Sequence, residues 1–426
     1  MTSSLLIAAA VFVSAASFMS MPLPAAAQDE AAKSTFTVTV DKVENGSITI
    51  DPPLPEDGKV PAGAVLTIKT APAPGYALDS GYYAQPGRSA PMYYETVTPE
   101  FKVKVDHNWK VGASFIETKA LEGFTLTPDV VYAQPGVKKL KYDVFSPKGA
   151  RNLPCIVIIH GGGWSVNCED VMRGLARELV RGGRYVVMSI DYRWIGTHDG
   201  DAVPNTMANI IEDVYGALAH IQQHAREYGG DPSRIAVTGD SAGGHLSAAA
   251  IDLVDHIGDG GFGVKPGVYE FKPTYLPPSK SVAQVRQDLT QAIKAAAPSY
   301  GVFGSAALSR FATGNGGPPD AQAATKAIAP LDNIPNIQQR AAPHYLLRGT
   351  RDMLIQNPEV QAYADALKAA GQRVEYVQVE GASHAFFDWK PDTQTKQTFV
   401  KYGIPYAAKM EEFFDTIFYP KGPAQP

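Results

Sequence analysis

RIAVTGDSAGGHLSAAA, residues 234–250, passes from a strand-like pattern to a helical one across a single short turn. Arg234 to Thr238 is strand-like, Ala242 to Val254 reads as a helix, and Gly239-Asp240-Ser241-Ala242-Gly243 between them is G-x-S-x-G. In that frame the motif is a strained strand-to-helix turn. Gly239 and Gly243 leave room for tight packing, and Ser241 is expected to project its hydroxyl at the C-terminal edge of a sheet. A serine hydroxyl is a poor nucleophile near neutral pH, so this reading requires a base, and acyl transfer also requires donors for an oxyanion.

The rest of the sequence supplies both. His160-Gly161-Gly162-Gly163-Trp164 follows the apolar run Cys155 to Ile159, and glycines there let backbone N–H groups face a carbonyl oxygen. Gly162, Gly163 and Ala242 are the expected oxyanion donors. Neither a P-loop lysine nor a G-x-G-x-x-G with a following acid occurs, which excludes nucleotide-phosphate binding as the reading of this loop. The base should come last in the chain, after an acid. Among nine histidines, His384 follows the strand-like Arg373 to Val379, and Asp352 follows the strand-like His344 to Arg348. Ser241, Asp352 and His384 are therefore the expected catalytic set, with Asp388 as the fallback acid. His160 is expected to make structural hydrogen bonds within its loop. His245 is expected to pack rather than catalyse, and it joins Trp164 and Trp194 as a candidate wall of the substrate pocket; Tyr269, Phe271 and Tyr275 are further candidates. No metal or organic cofactor is required.

Around these motifs, strand and helix alternate. Asp129 to Tyr132, Leu140 to Ser146, Cys155 to Ile159 and Tyr185 to Ile190 read as strands. Glu169 to Arg181, Thr206 to Tyr228, Ala242 to Val254 and Pro358 to Ala370 read as helices, and Gln397 to Tyr419 as a closing amphipathic helix. Runs apolar on both faces belong in a sheet covered by helices, so residues 129–420 form one α/β domain on a mostly parallel central sheet. An irregular insert at about 255–291 interrupts the alternation. Residues 34–118 have period two instead and predict a small all-β module, opening with a hairpin through Asn45-Gly46. Residues 119–128 read as a linker. The module's Tyr76, Tyr82, Tyr83, Tyr93 and Tyr94 are candidates for glycan contacts, beside the plainer reading of the module as a spacer.

The 426 residues are 45% hydrophobic and 19% charged, with 43 acidic against 38 basic side chains, so nothing marks a nucleic-acid or anionic-membrane binder. Residues 1–27 read as a secretory signal: an apolar run from Leu5 to Val13 precedes Pro22, Pro24 and Ala25-Ala26-Ala27, although no Lys or Arg precedes Lys33. Export to the periplasm or the extracellular space is expected, with no stable membrane insertion after cleavage. Cys155 and Cys168, the two cysteines, fit either a disulfide or two buried thiols.

From Asp129 to Tyr419, IVIIHGGGW, VVMSIDYRW, YGGDPSRIAVTGDSAGGHLSAAA, LLRGTRDMLI and GASHAF occur in the order of the α/β-hydrolase superfamily. The chain resembles its esterase group, which includes hormone-sensitive-lipase-like enzymes and bacterial carbohydrate and feruloyl esterases. The resemblance implies an α/β-hydrolase fold, Ser241 as nucleophile, Asp352 and His384 as its relay, and the loop glycines as oxyanion hole. Trp194 with IGTHDGDAVPN and the long insert depart from the family pattern where pocket walls form. In the N-terminal module, VENGSITIDPP, VPAGAVLTIKTAPAPGYAL, VTPEFKVKV and KVGASFIE resemble the internalin B-type, β-grasp-like repeat, with Tyr82 or Tyr83 where that family has Trp. Together these imply a secreted serine esterase hydrolysing carboxylic esters through an acyl-enzyme: acetyl or feruloyl esters of carbohydrates, polysaccharide-linked or small, or short-chain esters. Two alternatives are a serine peptidase of the prolyl-oligopeptidase type, for which too few residues precede the linker to form a propeller, and an inactive glycan-binding or adhesion protein.

Overall fold

Alternating apolar residues in the first part of the chain build two small sheets that share one core. The computed structural model describes residues 34–87, 92–259, 272–312 and 325–420; the expected signal segment, Tyr269 and Phe271 lie outside them. One sheet has the order β3-β1-β8-β5-β6, from Lys59–Pro61, Thr35–Val40, Trp109–Glu117, Tyr76–Ala84 and Tyr93–Thr96. The other is β2-β4-β7, from Gly46–Asp51, Val65–Pro72 and Glu100–Lys104. Val38, Val60, Leu66, Ile68, Val103, Trp109 and Val111 are buried between them.

The expected hairpin through Asn45-Gly46 does not form. β1 pairs with β3 and runs parallel to β8, whereas β2 pairs with β4. After β1 the Asp41 N–H bonds to the Val111 carbonyl and holds the chain on β8, so β2 enters the opposite sheet. Alternation specifies which face a strand buries and leaves open which strand lies beside it.

The larger domain is an eight-stranded sheet of order β16-β15-β14-β13-β11-β12-β10-β9. β11 (Leu153–Ile159), β12 (Val186–Ile190), β13 (Gly230–Asp240), β14 (Ile293–Ser299), β15 (His344–Gly349) and β16 (Val374–Val379) run parallel, and β9 (Phe124–Ala133) and β10 (Leu140–Pro147) complete it antiparallel. Cys155 to Ile159 and Val186 to Met188 are fully buried, as expected of strands covered by helices on both faces.

Three expectations are corrected here. Half of the linker at 119–128 belongs to β9, paired with β10 from Phe124 onward. As the edge strand β9 tolerates Pro128, and Asp129, at φ 58°, sits where the register shifts, its N–H donating to Asp143 Oδ1. The irregular insert contains a helix, Val282–Ala292, opened by a reciprocal capping box between Ser281 and Gln284. The closing helix is broken into Thr393–Thr398, a π-helical turn at Phe399–Gly403, and Ile404–Phe418.

Candidate active site

Ser241 follows β13 directly and precedes the helix Ala242–Asp252. Its backbone lies at φ 53°, ψ −115°, a conformation that L residues rarely adopt. The two glycines of the turn have no alternative. A Cβ on Gly243 would stand 1.9 Å from the Ile159 carbonyl oxygen, and one on Gly239 2.4 Å from the Gly243 carbonyl oxygen. The turn is further pinned by the Ser241 N–H donating to the Ser299 carbonyl at 3.0 Å.

The loops after β15 and β16 bring the other two residues to the same sheet edge. His384 Nδ1 donates to Asp352 Oδ2 at 2.8 Å, and Ser241 Oγ donates to His384 Nε2 at 2.9 Å. The imidazole side chain is 21% exposed and the carboxylate is buried. Burial opposes ionisation of Asp352. The hydrogen bond and charge of His384, with the N–H groups of Ile355 and Leu354, outweigh it and hold the carboxyl below its ordinary value. Tyr300 stands edge-on to the His384 ring at 4.9 Å and restrains its tilt. The fallback acid Asp388 does not reach His384 in this role; Lys390 Nζ holds it at 2.8 Å.

The glycine loop is fixed from several sides. Gly161 N–H donates to Asp240 Oδ1 at 2.6 Å, the Tyr192 hydroxyl donates to the His160 carbonyl, and the His160 ring stacks on Tyr192 at 4.2 Å while facing Asp191. Burial and the neighbouring Asp388 charge push the Asp240 carboxyl well above the usual carboxylate range. Gly162 and Gly163 have φ of 119° and 57°, and Ala242 opens a helix, where first-turn N–H groups lack an intrahelical acceptor. Gly162, Gly163 and Ser241 all line one cavity of about 310 Å³, together with Met92, Asn167, Leu354, His384 and Lys390.

The three expected pocket residues are not brought to this cavity. His245 is fully buried: Trp164 Nε1 donates to its Nδ1 at 3.3 Å, and its Nε2 donates to the Ile328 carbonyl at 3.0 Å. Burial lowers it to about 4, so it is neutral packing. Trp164 is 3% exposed behind the loop. Trp194 lines a neighbouring cleft instead, its indole N–H donating to the Asn167 carbonyl. Tyr275 stacks edge-on against His220 of the helix Met207–His224. Sequence reading missed Met92, Asn167, Leu354 and Lys390. Met92 comes from the β module, no motif marks Met92, Asn167 or Lys390, and Leu354 lies within LLRGTRDMLI two residues after Asp352.

Cys155 and Cys168 are both free thiols, which removes the disulfide alternative. Among the described residues, Asp129, Asp143 and Glu169 bring carboxylate oxygens within 4.8 Å of one another, and Lys141 bonds to both Asp129 and Glu169. The cluster thus already holds a cation of its own. No described helix is long and apolar enough to cross a membrane.

The β module is joined to the larger domain by a buried ionic knot. Asp79 of β5 accepts from Arg177 at 2.8 Å, Arg173 at 3.2 Å and the Trp389 indole at 2.9 Å, with Lys396 at 3.3 Å. Arg173 also reaches Glu95 of β6 at 2.6 Å and the Ser80 hydroxyl. These bonds seat β5 and β6 beside the glycine loop and carry Met92 to the Ser241 cavity.

Residues 156–388, more than half of the chain, match the α/β hydrolase fold family. The chain is 38% identical over 141 residues to carboxylesterase NlhH of Mycobacterium tuberculosis, an overlap of 33% of this chain and 38% of that protein. To the carboxylic ester hydrolase LipN of the same organism it is 31% identical over 251 residues, 57% of this chain and 60% of the relative. It thus spans less than two thirds of the length of either. A truncated carbohydrate esterase from gut microbiota shares the fold at a TM-score of 0.50 and 20% identity, covering 69% of this chain and 96% of that one. The chain belongs to the α/β-hydrolase fold family.

Proposed function

We propose that this protein is a serine esterase that hydrolyses carboxylic esters through an acyl-enzyme. One observation carries the reading: the unbroken hydrogen-bond chain from Asp352 through His384 to Ser241 at the mouth of a cavity walled by the glycine loop. His384 Nε2 takes the Ser241 proton as Oγ bonds to the ester carbonyl carbon. The carbonyl electron pair moves to oxygen, where the N–H groups of Gly162, Gly163 and Ala242 stabilise it. Collapse breaks the bond to the alcohol oxygen, which receives the proton from His384. Water then gives a proton to His384 and adds to the acyl carbon, and the acid leaves as Ser241 regains its hydrogen. Asp352 keeps the imidazole in the tautomer that accepts at Nε2.

The ester-hydrolase names of the M. tuberculosis relatives support this chemistry. Acetyl or feruloyl esters of carbohydrates, or short-chain esters, are the substrate classes we propose, and export rests on the apolar segment and small-residue triplet of residues 1–27. A panel of p-nitrophenyl acetate and butyrate beside peptide p-nitroanilides tests the reading. Ester hydrolysis that disappears in Ser241→Ala supports it; hydrolysis of the same esters by Ser241→Ala at the parent rate overturns it.

A further inference from the structure

A second cavity of about 330 Å³ lies between the β module and the hydrolase domain. From the module it takes Tyr83, Met92, Tyr94 and Phe101; from the larger domain, Asn167 and Trp194. Met92 and Asn167 also line the Ser241 cavity, so the two spaces share a wall. Asn167 links them physically. Its side-chain amide donates to the Gly161 carbonyl of the glycine loop at 3.3 Å, and its own carbonyl accepts the Trp194 indole N–H at 3.0 Å.

The faces offered there are aromatic and held in place. Tyr83 and Tyr94 stack at 4.8 Å with 10° between their planes, and buried Trp109 stands edge-on to both, at 5.0 and 5.7 Å. Across the cleft, Trp194 is braced by Lys138 over its ring at 4.4 Å. The Lys138 and Lys141 charges of the lining are consumed by Asp191 and Glu169, each at 2.8 Å. Lys102 and Lys139 also belong to the lining, so the cleft presents flat apolar surface with two ammonium groups beside it, an environment that receives the face of a ring.

We propose that this cleft is a substrate subsite, built jointly by the β module and the hydrolase domain, that binds a ring carried by the ester while its carbonyl lies at Ser241. The ring is an aryl group or the apolar face of a pyranose, on whichever side of the scissile bond faces Met92 and Asn167. The subsite rests on the esterase reading, and it gives the module a direct part in selecting substrate. Of the five tyrosines considered for glycan contacts, Tyr83, Tyr93 and Tyr94 line it. Tyr82 is buried with its hydroxyl on Asp41, and Tyr93 packs edge-on against Tyr82.

The test measures kcat/KM on the full chain for ethyl acetate, 2-phenylethyl acetate, methyl 6-O-acetylglucopyranoside and ethyl 3-phenylpropanoate, with Tyr94→Leu as the variant. The ratio of at least one ring-bearing ester to ethyl acetate is expected to exceed unity and to fall about fivefold to tenfold in Tyr94→Leu, the scale of one lost stacking contact. Which ester responds identifies the ring and its side of the bond. A second arm avoids substitution altogether: on the parent protein, 2-phenylethanol or methyl glucopyranoside should inhibit ethyl acetate hydrolysis competitively at concentrations where ethanol does not. Ring-bearing esters no better than ethyl acetate, or ratios unchanged in a folded Tyr94→Leu protein, overturn the subsite and leave the esterase reading standing. Absence of Ser241-dependent hydrolysis of every ester would remove both.

Discussion

The triad edge and the seam around Asp79 are both made of charged side chains withdrawn from water, and they are organised in opposite ways. At the triad edge each residue sits on a short loop just past its own strand, and the three meet through two hydrogen bonds, with one face left open to a cavity. At the seam a single carboxylate is closed in by two guanidiniums, an ammonium and an indole, with nothing left open. The difference separates a site that must exchange protons with a substrate from a joint that must only hold. It also explains why a module that supplies none of Ser241, Asp352 and His384 stands so close to the glycine loop: the joint places Met92 at the wall of the Ser241 cavity and the tyrosine stack in the neighbouring cleft.

Breaking the triad should have the largest effects. Ser241→Ala is expected to lower kcat for p-nitrophenyl acetate by about 10⁶-fold, leaving the circular dichroism spectrum unchanged. Asp352→Asn should cost about 10⁴-fold, because the imidazole loses the partner that sets its tautomer. Asp388→Asn, which disturbs the Lys390 pair and not His384, should cost far less in the same assay. Equal losses in the two Asp variants would transfer the acid role away from Asp352.

At the seam the effect moves from rate to stability. Asp79→Ala leaves Arg173, Arg177 and Lys396 facing one another without their shared carboxylate, and urea unfolding should register a loss of about 3 to 5 kcal/mol. Acid should loosen the same joint more gently. Burial disfavours the Asp79 carboxylate, but Arg173, Arg177 and Lys396 together with the Trp389 indole hold its folded-state value well below the ordinary one. A depressed value of this kind contributes stability in full above the unfolded carboxylate range, about pH 4, and loses it as pH falls toward the folded value. The parent should therefore lose stability below about pH 4 more steeply than Asp79→Asn. Parallel curves for the two proteins would show that Asp79 is not the titrating group.

The same contrast governs what the sequence reveals. Ser241, Asp352 and His384 were legible because each follows a strand-like run and because the turn at Gly239–Gly243 has a steric requirement visible in residue types alone. The seam was not, since Asp79, Glu95, Arg173, Trp389 and Lys396 are scattered along the chain and look like ordinary surface residues until the fold brings them together. Local pattern also misled in identifiable ways. Pro128 and Asp129 disguised edge strand β9 as a linker, and the alanines of Ile293–Ser299 hid a central strand, β14, on which Gly244 packs with no room for a side chain. The helix within the insert had a signal, the Ser281 and Gln284 capping box, that the glycine- and proline-rich surroundings obscured. Of the expected pocket walls, Trp164 and His245 are buried against each other behind the glycine loop, whereas Trp194 lines the cleft beside the Ser241 cavity.

Incubation with a phosphonylating serine probe, followed by peptide mapping and an ester assay on the same sample, tests the central claim most directly. The account predicts one modified residue, Ser241, with esterase activity lost in proportion to the fraction labelled and no labelling when His384 is replaced by Ala. Stoichiometric labelling at another residue, or full activity in a protein quantitatively modified at Ser241, would contradict it.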